Sequence, residues 1–171
     1  IALSSLLGLL SFLSVAHAEP APLPPGLSSE SSAHRTPPPG CIQAPNSIIG
    51  NVTWEEPCYV ISSTVVESGG WLTISPGVAV YFQLQPAPPK SSLAVNANAG
   101  LTAIGTASAP ITFTSGVATG QESRCDWNGI LIDSDAGPAV QIQHAVIEYA
   151  CVGVSPSGRR GLTIADNSFR Y

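Results

Sequence analysis

Short runs of alternating apolar and polar residues follow one another from about residue 61 onward. In "WLTISPGVAVYF", residues 71–82, one such run ends at Ser-Pro-Gly and a second begins at once. Apolar residues at every second position place one face of a strand in a core, and two or three inward positions suit strands of about three to five residues. Pro76-Gly77 has the residues of a type II turn, because Pro fixes φ at the first central position and Gly accepts positive φ at the second. The pattern therefore predicts short β-strands joined by sharp corners.

The last sets of alternating apolar residues repeat at a fixed distance. Each position recurs with a 22-residue period: Val140 at Leu162, Ile142 at Ile164, Ile147 at Phe169 and Tyr149 at Tyr171. Self-similarity at a fixed period indicates a repeat architecture, in which each repeat buries its inward side chains only by stacking on its neighbours. The repeat therefore predicts an all-β fold, a parallel β-helix with about 22 residues and three short strands per turn.

Four segments carry a more specific resemblance. In chain order they are "LTISPGVAVYF", "LTAIGTASAPITFTS", "WNGILI" and "HAVIEYA", and they resemble the bacterial secreted right-handed β-helix proteins of the pectin-lyase-like superfamily. The resemblance covers roughly residues 48–171. It implies a right-handed parallel β-helix and an exported, often surface-associated role. It implies no catalytic residue, because the four segments consist of strand residues and corners.

Residues 1–40 differ in composition from the rest of the chain. Leu3 to Val15 form a short apolar run that precedes Ala-His-Ala, a small-x-small cleavage signature. Because a membrane helix needs about 20 residues, this run is too short to span a bilayer. We interpret residues 1–18 as a secretion signal without its basic n-region, and we expect no membrane insertion after its removal.

Residues 19–40 are rich in Pro and Ser and predict an extended linker. Residues 41–171 are then the β-helix domain. We expect this domain to be a fragment of a longer protein, because the last predicted strand ends at Tyr171 and leaves an open sheet edge.

Composition and cysteine content favour an exported protein. All four cysteines follow the linker, and an even count in an exported chain predicts two disulfides with three possible connectivities. We favour Cys41 with Cys58 in the first coil, and Cys125 with Cys151, which lie one turn plus a short insertion apart. A formal charge of −5 with scattered basic residues argues against binding to nucleic acid. We predict a secreted, periplasmic or cell-surface location.

The 22-residue period places polar side chains on neighbouring coils, about 4.8 Å apart. It aligns His144 with Asp166 and Glu148 with Arg170, on or near one outer face. One hypothesis is acid/base chemistry on, or binding of, an acidic polysaccharide, since two carboxylates about 5 to 9.5 Å apart suit a glycosidase. The favoured interpretation is two exposed cross-strand ion pairs, each worth at most about 1 kcal/mol.

Two further groups of residues have alternative interpretations. Trp71 and Trp127 each precede a predicted strand, where they either pack in the protein or form platforms for sugar rings. Asp126, Asp133 and Asp135 flank the strand "GILI". Asp133 and Asp135 could offer oxygen ligands to calcium, although turn-forming Asp residues are the favoured interpretation. The sequence predicts no cofactor.

Two functions remain open at this point. The first is a non-catalytic extracellular scaffold or adhesion module that binds glycan or another surface component, because an export signal is present and no catalytic motif is found. The second is a polysaccharide lyase or glycoside hydrolase, with its site in the His144 cluster or in further coils. A polysaccharide or cell-surface glycan is the expected partner in both.

Overall fold

The computed structural model describes residues 38–133, 135–136, 140–158 and 161–171. The predicted secretion signal, residues 1–18, and most of the predicted linker lie outside the described residues. The described part of the chain contains sixteen β-strands. Within it there is no helix whose length and apolar character would let it cross a membrane.

The strands form three parallel sheets, and successive strands along the chain enter successive sheets. Sheet 1 contains β1 (Ile42–Gln43), β4 (Cys58–Ile61), β7 (Ala79–Phe82), β10 (Ile111–Ser115), β13 (Ala145–Glu148) and β16 (Ser168–Arg170). Sheet 2 contains β2 (Ser47–Ile48), β5 (Thr64–Val66), β8 (Ser92–Val95), β11 (Gly129–Ile132) and β14 (Val154–Pro156). Sheet 3 contains β3 (Asn51–Trp54), β6 (Trp71–Ile74), β9 (Gly100–Ile104), β12 (Val140–Gln143) and β15 (Leu162–Ala165).

Three strands make one coil, and each strand pairs in parallel with the strand three positions later. Connections between parallel strands of one sheet are right-handed in nearly all proteins. The chain is therefore a right-handed parallel β-helix with three short strands per turn, as the sequence predicts.

The 22-residue spacing holds for the last described coil and not for every coil. Val140 pairs with Leu162 in the predicted register. Ala79, in contrast, pairs with Thr112, which lies much further along the chain than the period would place it. The coils differ in length because inserted residues leave the coil as loops, for example at residues 83–91, while the strands keep their register.

The core consists of columns of inward side chains that stack from coil to coil. One column of sheet 1 contains Tyr59, Val80, Phe113 and Ile147, all buried. In sheet 3, Ile142 is fully buried, whereas Ile164, its partner in the last described coil, is 38% exposed. A side chain in this fold is thus fully buried only where a coil packs on each side of it.

Two disulfides are present, Cys41–Cys58 and Cys125–Cys151. They are the pairs that the sequence analysis favoured. The first joins the residue before β1 to the start of β4 and so closes the first coil. The second ties the loop of residues 116–128, which we call the cleft loop, to the segment after β13.

Leu101 and Thr73 test this division between inward and outward positions. Leu101 is fully buried in β9, whereas Thr73 faces outward from β6. Leu101→Ala should lower the free energy of unfolding by about 2 to 5 kcal/mol, because it removes apolar contacts with two coils. Thr73→Ala should change it by about 0.5 kcal/mol or less. Denaturant unfolding measures both, and an equal loss in the two variants would contradict the assigned register.

Candidate functional site

The structure separates the predicted polar cluster into two places. His144 immediately precedes β13 and Glu148 ends it, so their α-carbons lie about 13 Å apart along an extended strand. His144 Nε2 lies 4.0 Å from Asp166 Oδ2, as the sequence predicts. Glu148 pairs in register with Arg170, but in the described part of the chain no ion pair joins them, and Arg170 donates to Ser168 Oγ instead. The prediction of a single polar cluster is wrong, because the length of a strand separates the pairs.

The His144–Asp166 pair lies at equivalent corners of successive coils. Both residues have positive φ, 47° and 56°. Beside them, the Asn167 side chain accepts a hydrogen bond from the Ala145 N–H and donates one to the Ile142 carbonyl oxygen, each at 2.8 Å. The His144 and Asp166 side chains are 38% and 68% exposed, so an ion pair between them, which requires a protonated His144, contributes at most about 1 kcal/mol. These contacts support the interpretation of a polar corner.

Glu148 lies in a cleft of about 490 Å³ on the outer face of sheet 1. The floor of the cleft consists of outward-facing side chains of β7, β10 and β13, and the cleft loop forms one wall. The lining residues are Pro38, Tyr81, Thr112, Thr114, Ser115, Val117, Ala118, Thr119, Glu122, Glu148 and Tyr149. Of these, only Glu148 was a sequence candidate.

The register of the strands brings the residues of the cleft floor together. Tyr81 pairs with Thr114 on the next coil. The Thr114 hydroxyl donates a hydrogen bond of 2.9 Å to Glu148 Oε1, across 34 residues of sequence. Because the spacing between these coils departs from the 22-residue period, the repeat that aligned the predicted pairs could not align this group. Only the "ITFTS" alternation, with outward Thr112 and Thr114, hinted at hydroxyl groups on this face.

Asp126 fixes the cleft loop to sheet 1. Its side chain is buried, and Oδ2 accepts hydrogen bonds from the Ser115 hydroxyl at 2.7 Å and the Ser123 N–H at 2.9 Å. The Asp126 N–H donates to the Tyr149 carbonyl oxygen at 3.1 Å, and the Ser115 hydroxyl accepts from the Val117 N–H at 3.2 Å. A buried carboxylate is tolerated only with such partners. The network therefore holds both ends of the loop.

The end of the cleft loop is also held by apolar packing and by a disulfide. Trp127 is fully buried, and its ring stacks on Phe82 with a centroid distance of 3.6 Å. Its indole N–H donates to the Glu148 carbonyl oxygen at 2.9 Å. Cys125, which shortly precedes Trp127 in the chain, forms a disulfide with Cys151. The packing interpretation of Trp127 is confirmed, and the sugar-platform alternative is wrong for it, because the ring does not reach the surface.

Trp71 lies on the outer face of sheet 3, which is a different face of the β-helix. Its ring covers Gly100 so closely that an added Cβ there would clash with it. Its indole N–H donates to the Thr102 hydroxyl at 3.1 Å, and the side chain is partly exposed. A sugar platform at Trp71 stays a prediction.

Asp133 and Asp135 have the contacts of a turn. The Asp135 N–H donates to Asp133 Oδ1 at 3.0 Å, which is the hydrogen bond of an Asx turn. The Asp135 carbonyl oxygen accepts from the Asn98 N–H at 2.7 Å. No group of three or more His, Cys, Asp and Glu residues that could hold a metal ion occurs among the residues described. The geometry supports the turn interpretation over calcium binding.

The charges around the cleft shift the pKa of one side chain, the phenol of Tyr149. Partial burial raises the pKa of Tyr149 above its ordinary value of 10.0, and the charges of Glu122, Glu148 and Asp126 raise it further. Arg170 acts in the opposite direction without reversing the shift. The Tyr149 hydroxyl is therefore protonated at neutral pH and can donate a hydrogen bond into the cleft.

Comparison with models of protein families gives one match to this chain. Residues 46–168 match the family described as a pectate-lyase-like β-helix domain. No curated protein and no solved structure matches the chain.

Removal of each disulfide should have a different local effect. By the chain-entropy model, loss of either one lowers the free energy of unfolding by about 3 kcal/mol. The double variant Cys125→Ser/Cys151→Ser should in addition speed amide hydrogen exchange in residues 117–124, because the cleft loop loses a covalent anchor. The matched variant Cys41→Ser/Cys58→Ser should leave those amides as they are. Equal exchange of residues 117–124 in both variants would contradict the anchoring role.

The raised pKa of Tyr149 predicts a pH dependence of stability. The folded state disfavours the ionised phenol, so the contribution of Tyr149 to stability is fully present below pH 10 and is lost as the pH rises through the higher folded-state pKa. Tyr149→Phe should lose less stability over that range. Urea unfolding at a series of alkaline pH values measures the difference, and parallel curves for the two proteins would contradict the shift.

Proposed function

The chain belongs to the pectate-lyase-like β-helix family, and we propose that it is an extracellular, non-catalytic module that binds a glycan in the cleft of sheet 1. The observation that carries this proposal is the cleft itself, about 490 Å³ in volume and lined by hydroxyl, phenol and carboxylate groups. The two disulfides favour an extracellular location, since such bonds persist in oxidising compartments. Family membership alone supports only the fold.

The chemistry of the cleft suits a sugar chain. Its volume lies within the range of about 300 to 1,000 Å³ that is typical of ligand sites. Thr112 and Thr114 offer hydroxyl groups in one line along β10, and Tyr81 and Tyr149 add aromatic rings that have both an apolar face and a polar tip. Sugars also combine apolar ring faces with hydroxyl groups. A rigid sheet that presents these groups loses little conformational entropy on binding.

The enzymatic hypothesis is the second candidate function, and one observation favours it. Glu122 and Glu148 line the same cleft, and glycoside hydrolases use two carboxylates that flank the scissile bond. A lyase, in contrast, must stabilise the negative charge that develops on its substrate, usually with Lys, Arg or a metal ion. Among the described residues, those that line the cleft include no Lys, Arg or His. We therefore place the binding module first and a hydrolase second.

Glycan binding can be tested on the purified protein with a glycan array, followed by calorimetric titration of the glycans that bind. The variant Tyr81→Ala/Thr114→Ala should weaken binding about tenfold or more, because it removes one ring and one hydroxyl from the floor of the cleft. Thr73→Ala, on the outer face of sheet 3, is the matched control and should bind as the wild type does. Circular dichroism must show an unchanged fold in both variants.

The results distinguish the alternatives. Binding that survives in the cleft variant and is lost in Trp71→Ala would move the site to sheet 3. Turnover of a bound glycan, measured as new reducing ends without an unsaturated sugar product and lost in Glu148→Gln, would replace the binding module by a hydrolase. An array without any bound glycan would refute the proposed function.

A further inference from the structure

We infer that the cleft of sheet 1 takes a glycan with free ammonium groups, such as an oligomer of 2-amino-2-deoxy sugars, and excludes polyuronates. This inference rests on the proposed function, because it names the class of glycan that the same cleft binds. It also differs from the acidic polysaccharide that one hypothesis from the sequence named. The decisive features are where the charges of the cleft lie and how they are held.

Two carboxylates approach the cleft from different elements. Glu148 lies on the floor, where the Thr114 hydroxyl donates to its Oε1 at 2.9 Å. Glu122 lies on the wall, where the Gly120 N–H donates to its Oε2 at 2.6 Å. These hydrogen bonds fix the direction of both carboxylates before a ligand arrives. A carboxylate has about four lone-pair sites, so each retains acceptor capacity for an ammonium group.

The Lys and Arg side chains of the described residues contact groups other than the residues that line the cleft. Lys90 donates to the Cys125 carbonyl oxygen. Arg124 lies 5.1 Å from the centre of the Tyr171 ring, and Arg170 donates to Ser168 Oγ. None of the three lines the cleft. Among the described residues that line the cleft, a polyuronate would therefore meet two carboxylates and none of the guanidinium or ammonium groups that normally bind its own carboxylates.

The negative charges around the cleft also raise the pKa of the Tyr149 phenol. After partial burial, the charges of Glu122 and Glu148 are the largest contributions that raise its pKa, and the buried Asp126 adds to them. Arg170 is close enough to act on the phenol in the opposite direction, but the pKa is still raised. The field that disfavours a phenolate also disfavours a uronate and favours a cation at this position.

Three oligosaccharides of equal length test the inference by calorimetric titration at about pH 6, where ordinary Glu side chains are ionised. They are an oligomer of glucosamine, its fully N-acetylated form, and an oligogalacturonate, the last with and without calcium. The glucosamine oligomer should bind about tenfold or more tightly than the acetylated form, and its affinity should fall as salt is added. The oligogalacturonate should not bind under either condition.

Charge-neutralising variants locate the effect. Glu148→Gln and Glu122→Gln should each lower the affinity for the glucosamine oligomer about tenfold and leave that for the acetylated form within about twofold, because they remove a charge and keep the shape. Glu67→Gln is the matched control. It removes one negative charge at a corner outside the cleft, where Glu67 contacts Ser47 and Asn96, and should bind like the wild type.

Each outcome has a distinct meaning. Equal affinity for the amino and acetylated oligomers would overturn this inference and leave the proposed function intact. Calcium-dependent binding of the oligogalacturonate would also overturn it, since the carboxylates would then hold a metal that bridges to a uronate. A preference for the amino oligomer that persists in both Gln variants would overturn the inference as well, because the two carboxylates of the cleft would then not cause the preference. Failure of all three oligomers, together with an empty glycan array, would refute the proposed function itself.

Discussion

Stacking of inward apolar side chains in register is the interaction on which the rest of this structure depends. A single coil has no interior of its own, so each column is buried only by the coils on either side. Ile142 shows the effect of complete stacking, because it is fully buried, whereas Ile164 in the last described coil is 38% exposed. The register that aligns the inward columns also aligns the outward ones, because successive side chains of a strand point to opposite faces.

The candidate site follows from that coupling. Outward positions of sheet 1 bring Tyr81, Thr114 and Glu148 onto one surface, although a whole coil of sequence separates each from the next. The scaffold supplies only the floor, and an insertion between β10 and β11 supplies the wall. Residues 117–126 of that insertion belong to no strand. It is held instead by the buried Asp126 carboxylate, by the packing of Trp127 on Phe82 and by a disulfide.

The floor of the cleft is formed by the β-helix coils, and its wall is formed by a loop inserted between two strands of this chain. Membership of the pectate-lyase-like β-helix family accounts for the coils. It does not fix a ligand, because function resides in the site that a fold carries. In this chain the strands contribute Glu148 and hydroxyl groups, and the loop contributes Glu122. Both carboxylates line one cleft, and their charge is the feature from which we infer the class of glycan.

The sequence by itself determined the fold, because alternation and a repeat are local patterns that directly reflect the stacking energy. Among three possible disulfide connectivities it favoured the one that the structure has. It also placed His144 beside Asp166, since that coil has the 22-residue period. Only the tertiary structure decided that Glu148 lies elsewhere, that Trp127 is buried while Trp71 is partly exposed, and which residues form the cleft. For the cleft the reason is physical: insertions change the spacing between coils, so residues that meet across them share no period in the sequence.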